Sequence, residues 1–338
     1  MEIVERLEDE RPKVRAEAAA DLVELCRADP EARERFGMRF LTLLSDESPA
    51  VRGQAVVGAI VCDDELAHVD RVARLLEDPS PGVRLQVIHT LGPLGLPEVA
   101  EALVPRLRDE DLRVRTTAAS ALAFGGDARG LDVLVEALEK RATREEALHA
   151  LRQIAAADER GAVAEAVRRI FGGLFTSRFE RVAAAGVLAA LGDAGGRTHL
   201  VERTGKTGMD RPLAMELCGE LGIAEAEPLL VQAAADRKDT LRGTALRALA
   251  SMQAASAFPS CSDVLLDESE DVDVRSDAAE GLLLLGTAAA EGVLLQAREQ
   301  IRDQRVGRVV QACLALWGKP QREIRLYLPL SGDELHGD

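Results

Sequence analysis

The sequence predicts an all-α protein, a right-handed α-solenoid (superhelix) of about ten two-helix repeats. Three observations lead to this fold class. An arginine recurs at nearly constant spacing, the residues after it have the spacing of one buried helical face, and Ala, Leu, Glu and Arg, all strong helix formers, dominate the composition. Because aromatic residues make up only 3% of the chain, we expect a core of Leu, Val and Ala between closely packed helices.

The recurring arginine gives the repeat its period. Its successive spacings lie between 29 and 37 residues, and a period near 30 over most of a chain is typical of a solenoid. The arginines are Arg15, Arg52, Arg84, Arg115, Arg144, Arg181, Arg211, Arg242, Arg275 and Arg308. The two spacings of 37 residues predict a longer helix or a protruding loop near residues 27–40 and again near 172–179.

The residues around each arginine predict a helix. Three residues after it stand Ala18, Ala55, Ala118, Ala147, Ala184, Ala214, Ala245 and Ala278, and seven residues after it stand Leu22, Leu91, Leu122, Leu151, Leu188, Leu249 and Leu282. Four residues before it stand the N-cap candidates Ser48, Ser80, Asp111, Ser177, Thr207 and Asp271. A second helix, clearest at residues 97–107, lies between successive arginine helices, and neither helix can bury its apolar face without stacking.

The domain organisation follows from the absence of a long linker. We predict one solenoid domain over residues 1–318 and an extended tail over residues 319–338. In the tail, aliphatic residues occupy every second position from residue 324 to residue 330, and this period of two is typical of a strand. We weigh two interpretations: a segment that covers the last repeat, or a docking strand that adds to the sheet edge of a partner. The docking residues would be Ile324, Leu326, Tyr327 and Leu328.

The net charge restricts the class of binding partner, and the cysteine content restricts the cellular compartment. The formal net charge of −16 disfavours nucleic acids and anionic membranes, and it favours a protein partner of basic or mixed charge. Five widely spaced cysteines without a C-x-x-C pair indicate free thiols in a reducing compartment. With neither a signal-peptide pattern nor a membrane-spanning stretch, we predict a cytoplasmic protein, while its oligomeric state stays open.

The motif L-x-D-x-x-x-x-V-R-x-x-A-x-x-x-L stands in the sequence at residues 44–60, 76–92 and 107–123. It resembles the HEAT-like repeats of the phycobilin-lyase type, and the resemblance covers roughly residues 7–318. The resemblance implies that the aspartate six residues before each arginine forms a structural ladder with the arginines between neighbouring repeats. The ladder residues are Asp46, Arg52, Asp78, Arg84, Asp109, Arg115, Asp236 and Arg242.

The sequence predicts no metal site, no cofactor and no catalytic residues. The architecture resembles that of deoxyhypusine-type hydroxylases, which carry His-Glu dipeptides as iron ligands, but this chain has no His-Glu. Gly205-Lys206-Thr207 lacks the other features of a phosphate loop and predicts a turn. Glu216 and Glu220, one helical turn apart, predict a solvated acidic face.

The predicted function is that of a non-catalytic scaffold that binds a protein partner through the concave helical face and also, on the docking interpretation, through the tail. This face comprises positions two and five residues after the arginines: Gln54, Gln86, His89, Thr117, Ser120, Glu146, His149, Glu216, Arg247, Asp277 and Glu280. The resemblance leaves a bilin-lyase-like subunit for chromophore attachment as the alternative. Nucleic-acid binding is a third and weaker possibility, because the face is polar and locally acidic.

Overall fold

The computed structural model describes residues 2–63, 65–158 and 161–319. Every regular element in these ranges is an α-helix or a short 3₁₀ helix. From residue 320 onwards, the predicted tail lies outside the described residues, and so do its docking residues Ile324, Leu326, Tyr327 and Leu328.

The chain divides into two compact units, Met1–Ala166 (unit 1) and Val167–Asp338 (unit 2). In chain order the first helices are α1 (Glu2–Arg6), α2 (Pro12–Ala28), α3 (Pro30–Leu43), α4 (Pro49–Val61), α5 (Val69–Ala73), α6 (Pro81–Leu91), α7 (Pro97–Leu103), α8 (Leu112–Phe124), α9 (Leu131–Ala137), α10 (Arg144–Ile154) and α11 (Ala162–Phe171). The boundary between the units falls within α11. Short 3₁₀ turns extend α5 and α7 to Glu77 and Arg108.

The remaining helices belong to unit 2. They are α12 (Arg178–Ala190), α13 (Ala194–Thr204), α14 (Arg211–Glu220), α15 (Glu227–Ala235), α16 (Arg242–Ser251), α17 (Ala257–Leu266), α18 (Val272–Leu285), α19 (Ala288–Gln300) and α20 (Gln304–Ala315). The spacing of 37 residues before Arg52 corresponds to the long helix α3, whereas the one before Arg181 corresponds to the loop between α11 and α12.

Each of the ten recurring arginines lies in an even-numbered helix, from Arg15 in α2 to Arg308 in α20. We call these the first helices of the repeats. Within each unit a first helix packs on the next first helix and on the odd-numbered second helices beside it. The alanines three residues after the arginines and the leucines seven residues after them are all buried. This confirms the prediction of an all-α solenoid built from two-helix repeats.

Local sequence explains where several first helices begin. The side chains of Asp111 and Asp271 accept hydrogen bonds from first-turn N–H groups, and Ser177 forms a reciprocal capping box with Glu180. Thr207 is not a cap, because α14 begins only at Arg211, after a turn through Gly208. The predicted N-cap is therefore wrong at this repeat.

Candidate functional site

The repeated arginines of unit 1 join one repeat to the next. Arg52 donates to the Asp78 carboxylate through Nε–Oδ2 (2.7 Å) and Nη2–Oδ1 (2.8 Å), and its Nη1 donates to the Asp46 carbonyl (2.8 Å). Arg84 donates to the Asp109 carboxylate through Nη2 alone (Nη2–Oδ1, 2.7 Å), and its Nη1 donates to the Asp78 carbonyl. Each arginine therefore binds the backbone of its own repeat and the carboxylate of the following repeat.

Each ladder aspartate also organises the loop before its own first helix. Asp78 accepts from the Ser80 N–H (2.8 Å), and Asp109 accepts from the Asp111 N–H (3.0 Å). Burial by itself would raise the pKa of these carboxyls, but the hydrogen bonds from the arginines and the backbone outweigh it and hold each pKa below its usual range. The surroundings of each aspartate therefore stabilise its charged, deprotonated form.

The ladder changes where the loop sequence changes. Arg115 contacts the exposed Glu136 (3.4 Å), because Leu138 stands in the position of the next aspartate. In unit 2, Arg211 makes a bidentate pair with Asp239 (2.9 and 2.7 Å), and Arg242 pairs with Glu270 (2.6 Å).

The expectation that Asp236 is a ladder residue is corrected by these contacts. Its Oδ1 accepts from the Lys238 N–H (2.9 Å), and Asp239 is the carboxylate that meets Arg211. The loop before α16 places the ladder carboxylate three residues before Arg242, where the spacing rule expected six. A fixed spacing identifies the aspartate only where loop length is constant.

The lowered carboxyl pKa values predict acid-sensitive stability. Since Asp78, Asp109 and Asp239 have a lower pKa in the folded chain than the unfolded value of about 3.9, the unfolded chain binds more protons as the pH falls. We expect the urea midpoint to be nearly constant above about pH 5 and to fall steadily towards about pH 3. A midpoint that stays constant or rises over this range would contradict the ladder's contribution to stability.

The predicted binding residues of unit 1 occupy equivalent positions on four first helices, α4, α6, α8 and α10, each of which packs on the next. We call this set the first-helix face; its members are Gln54, Gln86, His89, Thr117, Ser120, Glu146 and His149. His89 is exposed, whereas Thr117 and Ser120 are buried. The buried Ser120 hydroxyl has no hydrogen-bond partner within the described part of the chain.

One residue of this face was missed by the sequence rule. Phe124 lies seven residues after Thr117 on α8 and is 48% exposed. Its ring contacts the His149 ring of α10, with 5.1 Å between centroids and an interplanar angle of 50°. Helical spacing from Thr117 and Ser120 is the signal that could have found it.

The predicted binding residues of unit 2 contact one another around Arg247. Its guanidinium lies 2.9 Å from Asp277, 3.0 Å from Glu280 and 3.7 Å from Glu216, so that α14, α16 and α18 are joined. Burial would lower the pKa of Arg247, but the three carboxylates outweigh it and raise the pKa. Because the Arg247 side chain is only 13% exposed, this cluster mainly holds neighbouring repeats together and offers little surface to a partner.

No group of three or more His, Cys, Asp or Glu side chains suited to hold a metal occurs in the described ranges. Among the helices described, none combines the length and the apolar character that crossing a bilayer requires.

Stacked two-helix repeats place this chain in the class of α-solenoid proteins. More narrowly, the family model of HEAT repeats matches residues 38–123 and again residues 68–152, so this part of unit 1 consists of HEAT repeats. No curated protein matches the chain in sequence.

Several solved structures are similar to this chain, each with a TM-score below 0.5. Human deoxyhypusine hydroxylase is 20% identical, with a TM-score of 0.32 over 74% of this chain and 96% of that chain. The complex of CpcE and CpcF of phycocyanin lyase from Nostoc sp. PCC7120 is 16% identical, with a TM-score of 0.40 over 93% and 92%. Kap121p is 12% identical, with a TM-score of 0.46 over 91% of this chain and 44% of that chain. These similarities concern the helical-repeat architecture alone.

Proposed function

We propose that this protein is a non-catalytic scaffold that binds a protein partner of basic or mixed charge through the first-helix face of unit 1. The observation that carries the proposal is the Phe124–His149 ring pair, a half-exposed aromatic contact within a row of polar side chains. Aromatic anchors surrounded by polar positions are typical of the energetic centre of protein interfaces.

The surroundings of the ring pair support this proposal. The accessible polar positions on α4, α6, α8 and α10 offer amide, imidazole and carboxylate groups along packed helices, so an extended segment of a partner can contact several repeats. The net charge of −16 favours a partner that brings positive charge. The five free cysteines, four of them buried, support a cytoplasmic location.

Affinity capture with three versions of the full chain tests the proposal. We expect tagged wild-type protein to retain one partner protein from the cytosol of its own cells at about 0.15 M salt, a concentration that screens casual contacts. Phe124→Ala should reduce retention about tenfold or more, because the ring would be a central anchor. The matched control is Met38→Ala, which removes a 67% exposed side chain from the second helix α3 and should leave retention unchanged.

Equal retention by Phe124→Ala and wild type would contradict the proposed face, provided that both unfold at the same temperature. Retention of a coloured tetrapyrrole without protein would instead favour a bilin-lyase-like subunit. Retention of salt-sensitive nucleic acid would also contradict the proposal.

A further inference from the structure

A second surface lies in unit 2, where the local charge is opposite to that of the whole chain. Residues 167–211 contain eight Arg and Lys against four Asp and Glu, a surplus of four positive charges in a chain of net charge −16. The basic residues are Arg168, Arg169, Arg178, Arg181, Arg197, Arg203, Lys206 and Arg211. Such a local reversal of sign favours an anionic ligand.

Half of these basic residues line one pocket between α12, α13 and the turn that precedes α14. The pocket has a volume of about 730 Å³ and is lined by Arg178, Arg181, Arg203 and Lys206, together with His199, Glu202 and Asp210. With His199 neutral, four cationic and two anionic side chains leave a formal charge of +2. We call it the basic pocket.

The positive charge is only partly neutralised by the protein itself. Arg203 pairs with the buried Asp210 (2.7 Å), and Lys206 lies 3.4 Å from the exposed Glu202. Arg181 donates to two neutral acceptors, the carbonyls of Phe171 (3.2 Å) and Gly173 (3.0 Å), which fix its position without cancelling its charge. The exposed Arg178 forms no ion pair with any described residue.

Two further groups indicate that the pocket suits an anion. The Arg203 Nε–H is buried and finds no acceptor in the part of the chain that the structure describes, although buried donors are normally satisfied. The His199 ring packs edge-on against Phe171, with 5.2 Å between centroids. Burial lowers the pKa of His199, and the neighbouring Arg181 and Arg203 lower it further, as a positive potential would.

We propose that the basic pocket binds a phosphate monoester, held mainly by Arg178, Arg203 and Lys206 next to His199. A phosphate monoester carries about −1.5 to −2 charges at pH 7, which matches the formal charge of +2 better than a single carboxylate does. The volume exceeds that of a phosphate group, so part of the attached organic group would also fit into this open pocket. This site is separate from the first-helix face and does not depend on the scaffold proposal.

An apolar loop tip precedes helix α12, which supplies Arg178 and Arg181 to the pocket. Leu174 and Phe175 are 93% and 100% exposed, and they directly follow Gly173, whose carbonyl binds Arg181. Two adjacent, almost fully exposed apolar side chains offer the apolar groups of a partner a surface to contact. The phosphate monoester could therefore belong to a free metabolite or to a phosphorylated side chain whose apolar neighbours touch this tip.

Isothermal titration of the full chain with inorganic phosphate and with phosphoserine, at constant ionic strength, tests the proposal. We expect saturable binding at one site. The double variant Arg178→Gln/Lys206→Gln, which changes two surface side chains, should weaken it about tenfold or more, since charged hydrogen bonds are lost. The control Lys13→Gln/Lys140→Gln removes two positive charges from exposed positions of unit 1 and should bind like wild type.

A spectroscopic readout locates the ligand. In proton NMR at saturating phosphate, the pKa of His199, assigned with the variant His199→Gln, should rise, whereas the other four histidines should titrate as before. No saturable binding of either probe, equal binding by the two double variants, or an unmoved His199 would each overturn the proposal.

A peptide probe distinguishes the two sources of the phosphate group. If the group is carried by a protein, the peptide Leu-phosphoserine-Phe should bind about tenfold more tightly than phosphoserine, and Leu174→Ser/Phe175→Ser should remove that gain. Equal affinity of both probes would assign the site to a free phosphorylated metabolite. The variants of the first-helix face leave these measurements untouched, so either proposal can fail alone.

Discussion

Replacing Asp109 by alanine should lower the free energy of unfolding of unit 1 by about 3 kcal/mol or more. Asp109 accepts from Arg84 Nη2 at 2.7 Å, and the two side chains are only 3% and 6% exposed. Without the carboxylate, the buried guanidinium keeps its charge and loses its nearest anion, while its Nε–H already lacks an acceptor among the described residues. The Asp111 N–H loses its acceptor as well.

Urea unfolding at pH 7, followed by circular dichroism, measures this loss. The matched control is Glu136→Ala, which breaks the contact of 3.4 Å between Arg115 and a glutamate side chain that is 62% exposed. Surface pairs of this kind contribute about 0–1 kcal/mol, so the control should unfold almost like wild type. Similar losses of unfolding free energy in both variants would mean that burial does not make the Arg84–Asp109 pair more stabilising than the Arg115–Glu136 pair.

The register of the repeats could be predicted because an arginine at one position of the first helix donates to a preceding backbone carbonyl in successive repeats, from Arg15 to Arg275. An arginine that must reach both a backbone carbonyl before its helix and a carboxylate of the next repeat has little freedom, as Arg52 and Arg84 illustrate. The alanine three residues later is buried against a neighbouring helix, so a larger side chain would separate the repeats. Periodicity, packing and hydrogen bonding therefore agree at the same positions.

Loops were predicted less well, because their length is not set by helical periodicity. Asp239 takes the place expected for Asp236, and the turn at Gly208 moves the start of α14 from Thr207 to Arg211. The backbone φ of Gly208 is +150°, and a Cβ there would lie 2.7 Å from Asp210 Oδ1. Such a turn depends on a contact with Arg203 that no local pattern shows.

The predicted binding residues show a second limit of prediction from sequence, which concerns the accessibility of their side chains. Positions two and five residues after the arginines were predicted as one face, yet Thr117 is buried, His89 is exposed, and Arg247 is bonded to three carboxylates. Which positions remain accessible depends on the side chains of the neighbouring repeats. The basic pocket combines the start of α12 with the end of α13, and a motif search that considers one segment at a time cannot show this proximity.

Close helix packing leads to the second large effect. Gly219 of α14 lies against α16, and an added Cβ would be 2.7 Å from both the Cα and the carbonyl oxygen of Ala248. Because these are backbone atoms, the helices must move apart to accept a methyl group. We expect Gly219→Ala to lower the free energy of unfolding of unit 2 by about 1–3 kcal/mol, although alanine is the better helix former.

The matched control for this change is Gly292→Ala in α19, a glycine of the same unit with nothing within 4 Å of an added Cβ. There the substitution should raise the free energy of unfolding by about 0.5–1 kcal/mol, since alanine loses less backbone entropy on folding. Urea unfolding of both variants measures the two effects, which have opposite signs for the same chemical change. If Gly219→Ala were as stabilising as Gly292→Ala, α14 and α16 could not be in contact at this point. The short arginine ladder that runs from Arg211 through Asp239 would then need a different geometry, because Arg211 lies on α14 and Asp239 lies in the loop that leads into α16.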